Sequence, residues 1–176
     1  MTRFVNALIG VGLVAASMLI GPPAVAADAE PNHAATHVMT SGRTPMQGIS
    51  PNYTMSEGAT TAVSCYVYWS EITKFTSVFG SVHWKWKHTA DACYDGVVVT
   101  QWRQRFDQLT YTDGTAYIGS LVGDSVTPLP TAPASSYYQR RIDICVFYYG
   151  CYDSHAPWSK ININGNGTSW VNWAVP

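Results

Sequence analysis

Chemistry needs particular side chains at particular spacings, and few sets in this 176-residue chain qualify. Asn162-Ile163-Asn164-Gly165-Asn166-Gly167 puts Asn at positions 1, 3 and 5 and Gly at position 6 of what would be a calcium loop. Position 12 is Trp173 rather than Glu and no ligand carries a charge, so the Asn-Gly pairs read as hairpin turns. Gly119-Ser120-Leu121-Val122-Gly123 has the wrong order for a nucleophile elbow, which needs Gly-x-Ser-x-Gly between strand and helix. A glycosidase needs two carboxylates facing each other across a sugar. From residue 61 onward the acids are Glu71, Asp91, Asp95, Asp107, Asp113, Asp124, Asp143 and Asp153, mostly at predicted turns and without a cluster. His33 and His37 have the i, i+4 spacing of a helical metal pair, but two histidines leave a zinc ion without its other ligands. No catalytic residue, metal site or cofactor is expected.

Cysteines and aromatics are the more informative sets. Cys65, Cys93, Cys145 and Cys151 are even in number and lack a C-x2-C knuckle, so they read as disulfides rather than zinc ligands. Of three connectivities, Cys65–Cys93 with Cys145–Cys151 is favoured, because Val146–Gly150 is short enough for a strand to turn and close on itself. In the chain-entropy model the two loops contribute about 3.5 and about 2.4 kcal/mol. Tyr148, Tyr149, Tyr152, His155 and Trp158 crowd the predicted clamped loop, and Tyr66 and Tyr68 fall opposite the apolar residues of their own strand. Rings held on a rigid loop lose little entropy on binding, which suits them to a sugar face or an extracellular protein partner. Trp84 and Trp86 share a face with Val82, opposite Lys85 and Lys87, and are assigned to the core. His83, Lys85, Lys87, Gln101, Arg103 and Arg105 would form a local basic patch if their strands pair. They read as a solvated face with Asp107 as counter-charge.

These residues need a scaffold, and the composition narrows it. With 12% charged and 13% aromatic residues and a net charge of -1, the chain is neither disordered nor built on a basic field for nucleic acid. Arg3, an apolar run over 4–20, the breakers Gly21-Pro22-Pro23 and then Ala24-Val25-Ala26 have the layout of a cleaved export signal over residues 1–26. The run is short for a membrane span and no second one follows, so the expected product is secreted, extracellular and without a membrane anchor. Residues 27–60 lack Trp, Phe, Leu and Cys and read as a flexible lead.

From residue 61 to 176 the text is β. Alternation over 61–70, 80–89, 96–107 and 138–149 gives strands, with further short ones at 115–121, 159–164 and 168–174. In the first, Val63, Cys65, Val67 and Trp69 take the core side. In the third, Trp102 and Phe106 face the core, opposite Arg103, Arg105 and Asp107. About seven strands make a single all-β domain, an antiparallel two-layer sandwich or small open barrel.

Gly150-Cys151, Pro157-Trp158, Ile161, Ile163 and Gly165-Asn166-Gly167-Thr168 together resemble the C-terminal pattern of small secreted actinobacterial proteins without an assigned activity. Trp84-Lys85-Trp86-Lys87-His88-Thr89-Ala90 with Cys93 and Tyr94 resembles them as well. The resemblance implies an exported β domain and carries no catalytic residue. The expected function is non-catalytic binding, of cell-envelope or environmental polysaccharide. The alternatives are a protein-directed inhibitor or contact toxin, and a hydrolase with an unrecognised carboxylate pair.

Overall fold

The computed structural model describes residues 37–46, 62–76 and 80–176. The export signal expected over 1–26 lies outside these residues, as does most of the 27–60 lead. The described residues form nine strands and no helix. Strands β1 (His37–Pro45), β2 (Ser64–Phe75), β3 (Val82–Tyr94) and β4 (Val99–Thr112) make one sheet in that order. Strands β5 (Ala116–Val126), β6 (Ala134–Val146), β8 (Trp158–Ile163) and β9 (Ser169–Ala174) make the other. β7 (Gly150–His155) also pairs with β6. Every ladder is antiparallel, so the molecule is an open two-layer sandwich built from two meanders rather than a closed barrel.

Three sequence expectations need correction. Residues 37–45 are a strand, not part of a flexible lead. β1 pairs with β2 from His37↔Lys74 to Pro45↔Tyr66, Met39 packs on the core, and Arg43 donates to the Gly167 carbonyl. Composition counts side-chain burial, whereas an edge strand also draws on ladder hydrogen bonds. The faces of β2 are reversed. Tyr68, Ser70 and Ile72 point inward, while the opposite face carries the Cys65–Cys93 bridge and sets Trp69 against Gly42 and Lys87. Finally, the β3–β4 register shifts between Ala90 and Ala92, which turns Arg105 and Asp107 inward opposite Ala90 and His88. An extra residue in one strand inverts a period of two for everything beyond it.

The basic patch is dismantled accordingly. Arg105 lies inside, His83 pairs with Asp113 at 2.6 Å, Lys85 with Glu71 at 3.8 Å, and Lys87 sits over the Trp69 ring.

Two apolar clusters fill the space between the sheets. One gathers Tyr68, Ala90, Ala92, Val99, Ala134, Ile161 and Ile163, and the other Ile72, Trp84, Trp86, Ala116, Tyr138, Ile142 and Ile144. Trp84 and Trp86 are fully buried, as their alternation with lysine predicts. Between the clusters runs a polar belt, one residue per strand: Ser70, His88, Ser136 and Ser159, all buried. His88 Nδ1 meets Ser159 Oγ at 2.7 Å and Nε2 meets Ser136 Oγ at 2.9 Å. Ser70 donates to Ser159 Oγ at 3.0 Å and Arg105 Nε to Ser136 Oγ at 2.8 Å. Burial, reinforced by the Arg105 charge, pushes the His88 pKa down to about 3. The ring is therefore neutral, and one donor and one acceptor nitrogen match two hydroxyls that can play either part.

The turn between β8 and β9 locks the sheets together. Gly165 lies so close to the β3–β4 turn that a Cβ would fall 1.8 Å from the Val97 carbonyl oxygen. At Gly167, with φ +80°, a Cβ would enter the Tyr94 ring, and its carbonyl accepts from Tyr68 Oη at 3.1 Å. Only glycine allows both approaches. Both expected disulfides are present, Cys65–Cys93 and Cys145–Cys151, and they fit an oxidising compartment. Among the described residues no helix is long and apolar enough to cross a membrane.

Candidate functional site

Two separate aromatic surfaces emerge from these elements. The first is the tip of the β6–β7 hairpin. Cys145 and Cys151 are direct cross-strand partners, and the Tyr149 amide donates to the Val146 carbonyl at 3.0 Å to close the turn. Tyr148 (φ +75°) and Gly150 (φ +77°) supply the left-handed backbone that the turn needs. Phe147, Tyr148 and Tyr149 are 81%, 92% and 88% exposed, with the Phe147 and Tyr148 rings edge-to-face at 4.3 Å. Tyr152 follows, exposed on β7. The result is a protruding, uncharged aromatic knob closed at its base by the disulfide.

The second surface is the outer face of the second sheet. Alternation turns Ser136, Tyr138 and Ile161 toward the core. It therefore turns Ser135, Tyr137 and Gln139 of β6 outward, together with their partners Asn162, Lys160 and Trp158 of β8, although Asn162 is covered by its neighbours and only 7% exposed. Trp170 and Asn172 of β9 continue the same face. Tyr137 and Trp158 sit 5.9 Å apart with their planes tilted by 38°. With Ser125, Val126, Thr127, Pro128, Ser135 and Lys160 they line an open groove of about 600 Å³. Tyr137 Oη donates to Gln139 Oε1 at 2.9 Å, and Gln139 Nε2 to the Ala156 carbonyl at 3.3 Å, which fixes this end of the face. Asn162 Nδ2 donates to Asn172 Oδ1 at 3.0 Å further along. Trp170 pairs with Asn162, four residues beyond Trp158, so the two aromatic platforms lie roughly 14 Å apart along the strands.

The seven residues singled out in the sequence do not form one site. Tyr148, Tyr149 and Tyr152 share the hairpin. Trp158 is on the sheet face, about 20 Å from the clamp by strand rise, since its partner Gln139 stands six residues before Cys145. His155 lies at the end of the core instead of in the loop, with its ring 6.0 Å from Trp84 and 6.1 Å from His37. Burial and the nearby Lys74 charge lower its pKa. Tyr68 is 1% exposed and belongs to the core, and Tyr66 is half-buried, stacked on Tyr94 at 5.9 Å beneath Arg43. Both expectations fail with the reversed faces of β2. Tyr137, Lys160 and Trp170 were not among the candidates. Their signal was available, because each is one residue out of phase with a core position.

Seven of the eight acids are individually engaged, and the eighth, Asp91, has a buried Oδ1 without a hydrogen-bond partner among the described residues. Asp107 is hydrogen-bonded by Arg140 (2.5 and 2.7 Å) and by Trp86 Nε1 (2.8 Å). Burial opposes its ionisation, but these donors hold its pKa below the usual carboxylate range. Asp113 is more exposed, and against its own burial cost hydrogen bonds from His83 and Thr115 hold its pKa low. Asp124 pairs with Arg105, Asp143 with Arg141, Glu71 with Lys85, and Asp153 lies 3.7 Å from His155. Asp95 accepts from the Val97 and Val98 amides in its own turn. Asp91 alone has a raised pKa, caused by burial and opposed by Arg103. None of these shifts traces to a second carboxylate, which is what a general acid–base pair requires. No family model, curated protein or solved structure matches the chain.

Proposed function

We propose that this protein is a secreted, non-catalytic domain that binds polysaccharide of the cell envelope or the environment through the outer face of its second sheet. The observation that carries the reading is the spaced pair of aromatic platforms, Tyr137 with Trp158 beside the open groove and then Trp170, on one sheet face. Aromatic faces offer an apolar surface to the C–H side of a sugar ring, and the neighbouring amides and hydroxyls suit its edges. Strand mounting and the Gln139 bonds hold the Tyr137 ring in place before any ligand arrives. The export-signal layout of residues 1–26, the two disulfides and the resemblance to small secreted actinobacterial β proteins support secretion.

The test is sedimentation of the purified protein with insoluble cellulose, chitin and peptidoglycan, followed by depletion isotherms on whichever polymer retains it. Trp158→Ala should weaken that binding about tenfold without changing the unfolding midpoint by more than a small amount. Retention by none of the three polymers and by no soluble polysaccharide would sink the reading.

One observation favours a second reading, a protein-directed inhibitor or contact toxin. Phe147, Tyr148 and Tyr149 form a protruding knob, a shape that fills a partner's pocket rather than lying along a polymer. Bait capture from culture supernatant, abolished by Phe147→Ala/Tyr148→Ala and untouched by Trp158→Ala, would establish it.

A further inference from the structure

Lys160 is the charge that this aromatic face leaves unanswered. It is exposed on β8, with Tyr137 of β6 on one side and Asn172 of β9 on the other. Along its own strand it lies between Trp158 and Asn162, hence between the two aromatic platforms. The six ion pairs among the described residues employ other cations, and the groove lining contains no acid. The nearest strand acid along β5, Asp124, is already paired with Arg105 at 2.5 Å. On this face Arg141 is likewise matched by Asp143 at 2.7 Å. On the first sheet Lys85 meets Glu71 and Lys87 meets the Trp69 ring, and between the sheets Arg140 meets Asp107, whereas Lys74 and Arg103 lie off this face and make no ion pair among the described residues. A single cation, reserved on a surface of spaced rings and amides, is complementary to a negative group carried by the ligand.

Resting on the polysaccharide reading, we infer that the face selects acidic saccharides, with Lys160 pairing to the anionic group of a sugar whose neighbours lie on Trp158 and Trp170. The group is a carboxylate of the uronic-acid type. Lysine acts as a compact point charge, so a sulfate could substitute, and the test carries an arm for it.

The probes are a hexagalacturonate, the neutral cellohexaose and a sulfated cello-oligosaccharide of equal length, titrated against the intact secreted chain by calorimetry. The uronate should bind about three- to fivefold more tightly than the neutral oligomer at low ionic strength, as one exposed ion pair implies. The preference should fade toward parity at ~1 M salt, where screening acts within about 3 Å. Lys160→Met, which keeps the apolar stem, should bring the ratio of acidic to neutral affinity to about one. Lys85→Met, on the other sheet, should leave that ratio as it is. Equal affinity for acidic and neutral oligomers, or an unchanged ratio in Lys160→Met, overturns the inference while leaving the polysaccharide reading intact. A sulfated oligomer preferred over the uronate overturns the carboxylate assignment. Failure of every saccharide to bind overturns the underlying reading instead.

Discussion

Protonating His88 should destabilise the fold, by an amount that its burial fixes. The ring is 0% exposed, both nitrogens bond serine hydroxyls, and Arg105, whose charge also opposes protonation, donates to one of those serines. Its folded pKa is lowered from 6.5 to about 3, so on acidification the unfolded chain takes up the proton first. The contribution is therefore fully present above pH 6.5 and is lost as the pH falls toward 3. Each pH unit in that window costs about 1.4 kcal/mol per proton, so acidification to about pH 4.5 removes about 2–3 kcal/mol through His88 alone. His37, lowered to about 4, and His155 act in the same direction, so the wild-type loss is larger. His88→Gln keeps a donor and an acceptor but cannot take a proton. Urea unfolding at about pH 7.5 and about pH 4.5 should show the variant losing about 2–3 kcal/mol less than wild type across that interval. Parallel pH dependences for the two proteins would refute a buried neutral imidazole.

Other consequences are structural. Gly165→Ala should cost about 2–4 kcal/mol, because its Cβ would meet the Val97 backbone. Gly114→Ala, with φ +97° but open space, should cost only about 1 kcal/mol, and a pair of denaturation curves compares them. Arg140→Leu strands the Asp107 carboxylate, 2% exposed, and should destabilise by about 3–5 kcal/mol, with Arg140→Leu/Asp107→Leu recovering part of the loss. Thermal or urea melts of the single and double variants check the order.

Much of this fold could be read from alternation, because tryptophan and lysine on opposite sides of β3 leave no doubt about which side is wet. The same logic failed on β2, where Val67 and Trp69 on one face and Tyr68 and Ile72 on the other are equally apolar. The disulfide face turned out to be the outer one. It failed on β4 because a register shift has no compositional mark, and that shift carries Arg105 and Asp107 into the interior. β1 escaped notice since its stability comes from backbone pairing and from contacts made by Met39 and Arg43. The disulfides were legible from an even cysteine count behind an export-signal layout, and the short Cys145–Cys151 spacing marked the hairpin which that bridge clamps. The face was legible only in part. Trp158 drew attention as an aromatic near the clamped loop, yet its true neighbours, Tyr137, Lys160 and Trp170, are brought to it by strand pairing.

The central claim is that the outer sheet face, and not the hairpin tip, holds polysaccharide. Depletion isotherms of wild type, Trp158→Ala and Phe147→Ala/Tyr148→Ala on one retaining polymer test it directly. The face account predicts about tenfold weaker binding for Trp158→Ala and wild-type binding for the tip variant. Binding lost in the tip variant and kept in Trp158→Ala would contradict it.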